Sequence, residues 1–162
     1  MNKRITLLAA LASLAVLTGC ATPPAPMSIA DTAARTPQLT TLNKLINDAG
    51  LADTLRGAGP YTVFAPTDEA FKAVPAGTLD ALAKDKERLK AVLAYHVIAG
   101  QVMAADVKNG PAKTLQGGNV ALSKAGTFVT VEDAVVTQAD VPASNGVVHL
   151  IDRVLMPPAA AK

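Results

Sequence analysis

The hydrophobic period of this chain is mostly helical in its first part and strand-like in its second, and that order restricts the folds open to it. Between Thr36 and Ala94 apolar residues recur at three- and four-residue steps, whereas beyond Gly100 they gather in short runs divided by glycine, proline and asparagine. The first spacing puts side chains on one face of a helix, and the second suits strands joined by tight turns. Helices followed mostly by strands predict a single α+β domain.

Local signals refine this expectation. Thr36-Pro37 reads as a helix start, with proline at the first position, where its missing N–H costs nothing. Leu39, Leu42, Leu45, Ile46 and Ala49 then share a face, and Gly50 supplies a stop. A second short helix runs from Leu51 to Arg56. Tyr61 to Ala65, β-branched and aromatic between two prolines, reads as a strand, and Thr67-Asp68-Glu69 opens the helix that carries Phe71. Two helical pieces follow between Thr78 and Ala94, with Lys84 to Arg88 as a solvated charged face.

Tyr95-His96-Val97-Ile98 reads as a strand, whose alternation points Tyr95 and His96 to opposite faces; structural packing is the first reading of the pair, and a partner surface reached by at least one of them is the functional alternative. Further strands are expected at Lys113 to Leu115, Asn119 to Ser123, Thr127 to Val131, Val135 to Gln138, Val147 to Ile151 and Arg153 to Leu155. Turns fall at Gly117-Gly118, Ala125-Gly126, Pro142 and Asn145-Gly146. The nearly unbroken apolar run around His149 makes that residue a hydrogen-bonded core histidine. Asp68 and Asp152 stand beside turns, where a carboxylate braces backbone N–H groups.

The amino terminus follows a different logic. Lys3 and Arg4, an apolar run from Ile5 to Leu17, and then Thr18-Gly19-Cys20 give the order of a secretory signal: charge, apolar core, small residues. The run is shorter than the about 20 residues a membrane-crossing helix needs. Leu17-Thr18-Gly19-Cys20 resembles the lipobox of bacterial lipoproteins, which implies removal of residues 1–19 and a diacylated Cys20 as the first mature residue. Ala21, rather than aspartate, resembles lipoproteins passed on to an outer membrane in hosts that have one. Residues 20–36, rich in alanine, threonine and proline, are expected to form a flexible tether. The folded domain is then expected over 37–158, with a short tail at 159–162.

Cys20 is the only cysteine, so no intrachain disulfide supports the fold and packing must do so alone. Loss of Lys3 and Arg4 with the leader lowers the 15 basic residues to 13, equal to the 13 acidic ones. A neutral mature chain argues against nucleic acid as partner. The aromatic residues are Tyr61, Phe64, Phe71, Tyr95 and Phe128, with no tryptophan, so stacking platforms for bases or sugars are scarce.

Catalytic signatures are equally thin. No G-x-S-x-G elbow, P-loop or dinucleotide fingerprint occurs, and Gly57-Ala58-Gly59 runs straight into Pro60. His96 and His149 lack the H-E-x-x-H context of a zinc site, and no cofactor or metal is called for. Adjacent carboxylates at Asp68-Glu69 and Glu132-Asp133 diverge on either a helix or a strand and read as solvated.

Three stretches, in order, resemble the fasciclin (FAS1) family. They are Tyr61-Thr62-Val63-Phe64-Ala65-Pro66-Thr67-Asp68-Glu69-Ala70-Phe71, the tyrosine–histidine motif Tyr95-His96-Val97, and the run from Asn145-Gly146 through His149 and Asp152 to Met156-Pro157. The resemblance implies a wedge-shaped β-sandwich of about seven short strands packed with several helices. It also implies a secreted or surface-anchored module for adhesion or matrix contact, without shared catalytic activity. In animal members the tyrosine–histidine region is linked to integrin-dependent adhesion, which here names Tyr95 and His96 as a binding surface, although a bacterial host has no integrins. Phe64, Pro66, Thr67, Asp68, Phe71, Asn145, Gly146, His149 and Asp152 carry the motifs as structural residues.

The leading expectation is a non-catalytic module, lipid-anchored in the envelope, that binds a surface protein or matrix component. Certain algal fasciclin-like proteins bind carotenoids, so an apolar small-molecule ligand is the alternative, recognisable by apolar residues such as Val97, Ile98, Val102 and Met103 around an open groove. A hydrolase or metal-dependent enzyme ranks third.

Overall fold

The computed structural model describes residues 27–157. The signal at 1–19, Cys20, the first part of the tether and the tail at 159–162 lie outside the described residues. Six α-helices and seven strands follow in the order α1 (Ile29–Arg35), α2 (Thr40–Asp48), α3 (Ala52–Arg56), β1 (Tyr61–Pro66), α4 (Asp68–Ala73), α5 (Ala76–Lys84), α6 (Lys86–Tyr95), β2 (Val97–Ala99), β3 (Gly110–Lys113), β4 (Asn119–Ala125), β5 (Phe128–Val131), β6 (Ala134–Ala143) and β7 (Gly146–Ile151).

The first helix corrects the expected tether. Ser28 caps it by accepting the Asp31 N–H at 3.2 Å while its hydroxyl donates back to the Asp31 carboxylate at 2.7 Å, a reciprocal closure of the first turn. Ile29, Ala30 and Ala33 are buried in the main core. One isoleucine and two alanines make a stripe too faint to see in an alanine- and proline-rich stretch. The folded unit therefore includes residues Ser28 to Arg35, ahead of Pro37, where a short 3-10 turn, Pro37–Leu39, leads into α2.

The strands form one seven-stranded sheet in the order β2-β1-β7-β6-β5-β4-β3. Every pairing is antiparallel except β1 with β7, which run parallel in the register Tyr61↔Gly146 to Pro66↔Ile151. A bridge between Ile98 and Thr114 brings the two edges together, so the sheet is nearly closed. The result is the expected α+β, sandwich-like wedge.

Alternation along β1 and β7 divides the interior in two. Val63, Ala65, Val148 and Leu150 face Leu39, Leu42, Ile46, Leu89 and Leu93 of the helices. Phe64 and Ile151 face Val120, Leu122, Val129 and Val131 inside the bent sheet. Both faces of these two strands are covered, which is why their sequences read as continuous apolar runs.

Two expected features differ. β6 runs straight through Pro142, paired with Val147, instead of turning there. Arg153 to Leu155 form no strand, because the Leu155 N–H is given to a side chain, as follows.

Candidate functional site

Tyr95 and His96 do not lie on a strand. Tyr95 is the last residue of α6 and His96 its C-cap, and both are buried, which fits the packing reading and leaves no exposed surface made by this pair. The helix runs one residue further than the β-like sequence implies, and that residue, Tyr95, packs with Phe64 and Ile98 of the sheet.

The imidazole of His96 is held between two backbone groups. Nδ1 lies 2.8 Å from the Val92 carbonyl and carries the proton, while Nε2 accepts the Leu155 N–H at 2.9 Å. Burial lowers its pKa from 6.5 to about 4, against the opposing pull of the Val92 carbonyl. His96 thus fastens the chain after β7 onto the end of α6.

Tyr95 points the other way, under the Gly117-Gly118 turn, where a Cβ on Gly118 would stand 3.1 Å from its ring. Its hydroxyl meets the Glu132 carboxylate at 2.5 Å and the Asn119 carbonyl at 3.0 Å. Burial first, and then the Glu132 charge and hydrogen bond, raise the phenol from 10.0 to about 12. Glu132, expected to be merely solvated, is exposed yet committed to this contact. It sits at φ 53 in the two-residue turn between β5 and β6, a conformation its sequence position does not announce.

His149 is the core histidine expected. Nδ1 accepts the Asp140 N–H at 3.1 Å, and Nε2 donates to the Val102 carbonyl at 2.8 Å. Asp140, at φ 56 in an irregularity of β6, accepts the Ala104 N–H at 2.8 Å. Phe64 joins the two histidine sites: its N–H donates to the His96 carbonyl at 2.9 Å, and its ring stacks on His149 at 5.5 Å. The three motif stretches therefore converge through β1, which lies between β2 and β7.

The remaining motif residues brace backbone. Thr67 accepts the Ala70 N–H to cap α4, next to Pro66 at the end of β1, and Phe71 packs into the helical core. Asp68 accepts from the Thr40 hydroxyl at 2.6 Å and the Thr41 N–H at 2.8 Å, closing the start of α2 from a neighbouring helix. Burial would raise its pKa, but the bonds from Thr40 and Thr41 outweigh that and hold it below 3.8. Asp152 accepts the Val135 N–H at 2.7 Å. Asn145, expected only as a turn residue before Gly146, reaches Ile29, Leu55 and Gly57 with its side chain.

The candidate ligand site is elsewhere. An open groove of about 1140 Å³ lies between α4, α5, α6 and the segment after β7, with Ala70, Leu82 and Val92 at its floor and Arg88, Arg153 and Met156 along its walls. A smaller apolar cavity of about 180 Å³, lined by Phe71, Leu79, Leu89, Leu93 and His96, lies beneath α5. Leu82 borders both spaces. The groove anticipated around Val97, Ile98, Val102 and Met103 is not found: Val97 and Ile98 are buried in separate cores. Among the described residues no three His, Cys, Asp or Glu side chains converge on a metal position, and no helix is long and apolar enough to cross a membrane.

A family model described as the fasciclin domain matches residues 37–157. Protein sll1483 of Synechocystis is 42% identical over 134 residues, covering 82% of this chain and 74% of its own. Immunogenic protein MPB70 of Mycobacterium bovis is 42% identical over 136 residues, covering 81% and 69%. The cell surface glycolipoprotein MPB83 of the same species is 43% identical over 136 residues, and the match spans 61% of that protein. Among solved structures, a FAS1 domain pair from the insect cell adhesion molecule Fasciclin I superposes with a TM-score of 0.61 at 24% identity, covering 75% of this chain and 46% of that one. This last likeness shows the fold.

Proposed function

Because the chain belongs to the fasciclin domain family, we propose that it is a non-catalytic binding module displayed on the bacterial envelope. In this reading residues 1–19 are removed, Cys20 carries the lipid that holds the domain to a membrane, and the partner is a surface protein or matrix component rather than nucleic acid. The names of the relatives agree with a surface setting: MPB83 is a cell surface glycolipoprotein, and Fasciclin I a cell adhesion molecule.

The observation that carries the reading is how the chain's polar motif residues are used. His96, His149 and Tyr95 spend their hydrogen-bonding groups on backbone and on Glu132, inside the fold. A general base must reach a substrate proton, and these buried groups are already committed to the scaffold.

Anchoring is tested by Cys20→Ser. Loss of the lipid mass and of membrane retention is expected; an unchanged mass with unchanged retention would overturn it. Binding is tested by native mass spectrometry on protein released from its own envelope, where a bound protein partner supports adhesion.

A second reading, small-molecule binding, is favoured by the groove beside α5. In the same measurement it requires a bound mass of a few hundred daltons, ~500 for a pigment- or lipid-sized ligand.

A further inference from the structure

The groove has a chemical polarity that an apolar reading overlooks. Its lining is mostly aliphatic, yet it includes two arginines, Arg88 from α6 and Arg153 from the segment after β7. Among the described residues the ion pairs both belong to Arg56, with Asp31 and Asp53, so neither groove arginine is paired to a carboxylate. No aromatic side chain lines the space, and a flat conjugated ring would gain no stacking there. The volume, about 1140 Å³, stands just above the roughly 300–1,000 Å³ usual for small-molecule sites. Such a space suits a long flexible chain.

We propose that this groove binds a long-chain fatty acid, the acyl chain lying over Val74, Ala81, Leu82 and Val92 and the carboxylate meeting Arg88 and Arg153. Guanidinium presents its N–H groups as a fork that matches a carboxylate. Aliphatic walls supply the apolar burial that holds the chain, worth about 0.8 kcal/mol for each CH₂ covered. The proposal rests on the small-molecule reading above and names its ligand.

The test is a fluorescence titration of the full chain carrying Cys20→Ser, so that no lipid of its own competes, with cis-parinaric acid and separately with its methyl ester. The acid is expected to bind one per chain, and the ester at least about tenfold more weakly, as follows from losing hydrogen bonds to a charged group. Arg88→Gln with Arg153→Gln is expected to weaken the acid roughly ten- to a hundredfold and to leave the ester unchanged. Both arginines are exposed, and circular dichroism verifies the fold of the variant. Equal affinity for acid and ester would overturn the anionic-head proposal and leave the small-molecule reading standing. Failure of both probes to bind would overturn the fatty-acid proposal, with the small-molecule reading decided separately by the bound mass in the native spectrum, and undiminished acid binding by the double variant would remove the assignment to this groove.

Discussion

The side-chain oxygen of Asn145 accepts the backbone N–H of Ile29 at 2.9 Å across 116 positions of sequence. Its Nδ2 donates to the Leu55 carbonyl at 2.7 Å and the Gly57 carbonyl at 2.9 Å. One amide thus closes the start of α1, the end of α3 and the β6–β7 turn into a single joint. Asn145→Ala leaves a donor and two acceptors without their partner. At roughly 1–3 kcal/mol per stranded buried group, discounted because the site is only partly buried, a loss of about 3–5 kcal/mol is expected. Asn145→Asp should be no better, since its carboxylate would face two carbonyl oxygens. Urea unfolding midpoints of the two variants check both statements.

The same joint shows what the sequence could and could not disclose. Helices α2 to α6 and strand β1 were legible because each carries its own apolar period or cap, as with Leu39, Leu42 and Ile46 or Thr67. His149 was legible because its neighbours are all apolar. Helix α1 was not, because much of what orders it lies far away in Asn145 and in the helices it packs against. Tyr95-His96 has β-prone neighbours, but burial of α6 extends the helix through Tyr95. Arg153 to Leu155 resembled a strand, and the Leu155 N–H that a strand partner would need goes to His96 instead. The groove is formed by parts of α4, α5, α6 and the final segment, and no local spacing announces it.

His96 gives the fold a defined acid response. Its folded pKa is lowered to about 4 from 6.5, so between those values the unfolded chain binds the proton and the folded chain does not. Stability is therefore complete above about pH 6.5, falls as pH drops through the window, and levels off near 4 as far as this residue is concerned. The contribution amounts to about 3 kcal/mol. His96→Gln should be less stable at pH 7 and lack this slope between pH 6.5 and 4. Asp31 and Asp68, held below 3.8, add a separate loss only at lower pH. Urea midpoints of both proteins at pH 7, 5.5 and 4.5 separate the effects, and parallel curves would contradict the assignment.

Tyr95 responds at the opposite end of the scale. Its folded pKa is raised to about 12 from 10.0, so between these values the folded chain holds a proton that the unfolded chain has lost. Stability from this group is full below about pH 10 and is lost as pH rises toward 12. A tyrosinate step near 12 is expected in the ultraviolet titration of the folded protein, absent from Tyr95→Phe. The substitution keeps the ring and removes the hydroxyl, costing about 1–2 kcal/mol at neutral pH because the Glu132 carboxylate loses its donor.

Two glycines test the backbone itself. Gly146 opens β7 opposite Tyr61 in the parallel pair, at φ +156, and a Cβ there would overlap the Tyr61 carbonyl. Neither partner can yield without breaking the β1–β7 register on which Phe64 and His149 depend. Gly146→Ala is expected to cost roughly 3 kcal/mol or more. Gly77, inside α5, has nothing within 4 Å of the same added atom and no positive φ. Gly77→Ala should stabilise by about 0.5–1 kcal/mol, since alanine loses less backbone freedom on entering a helix. Thermal unfolding should thus move in opposite directions for the two variants. A loss for Gly77→Ala would mean that α5 does not hold this helical backbone in solution, and the groove it borders would then have to be redrawn.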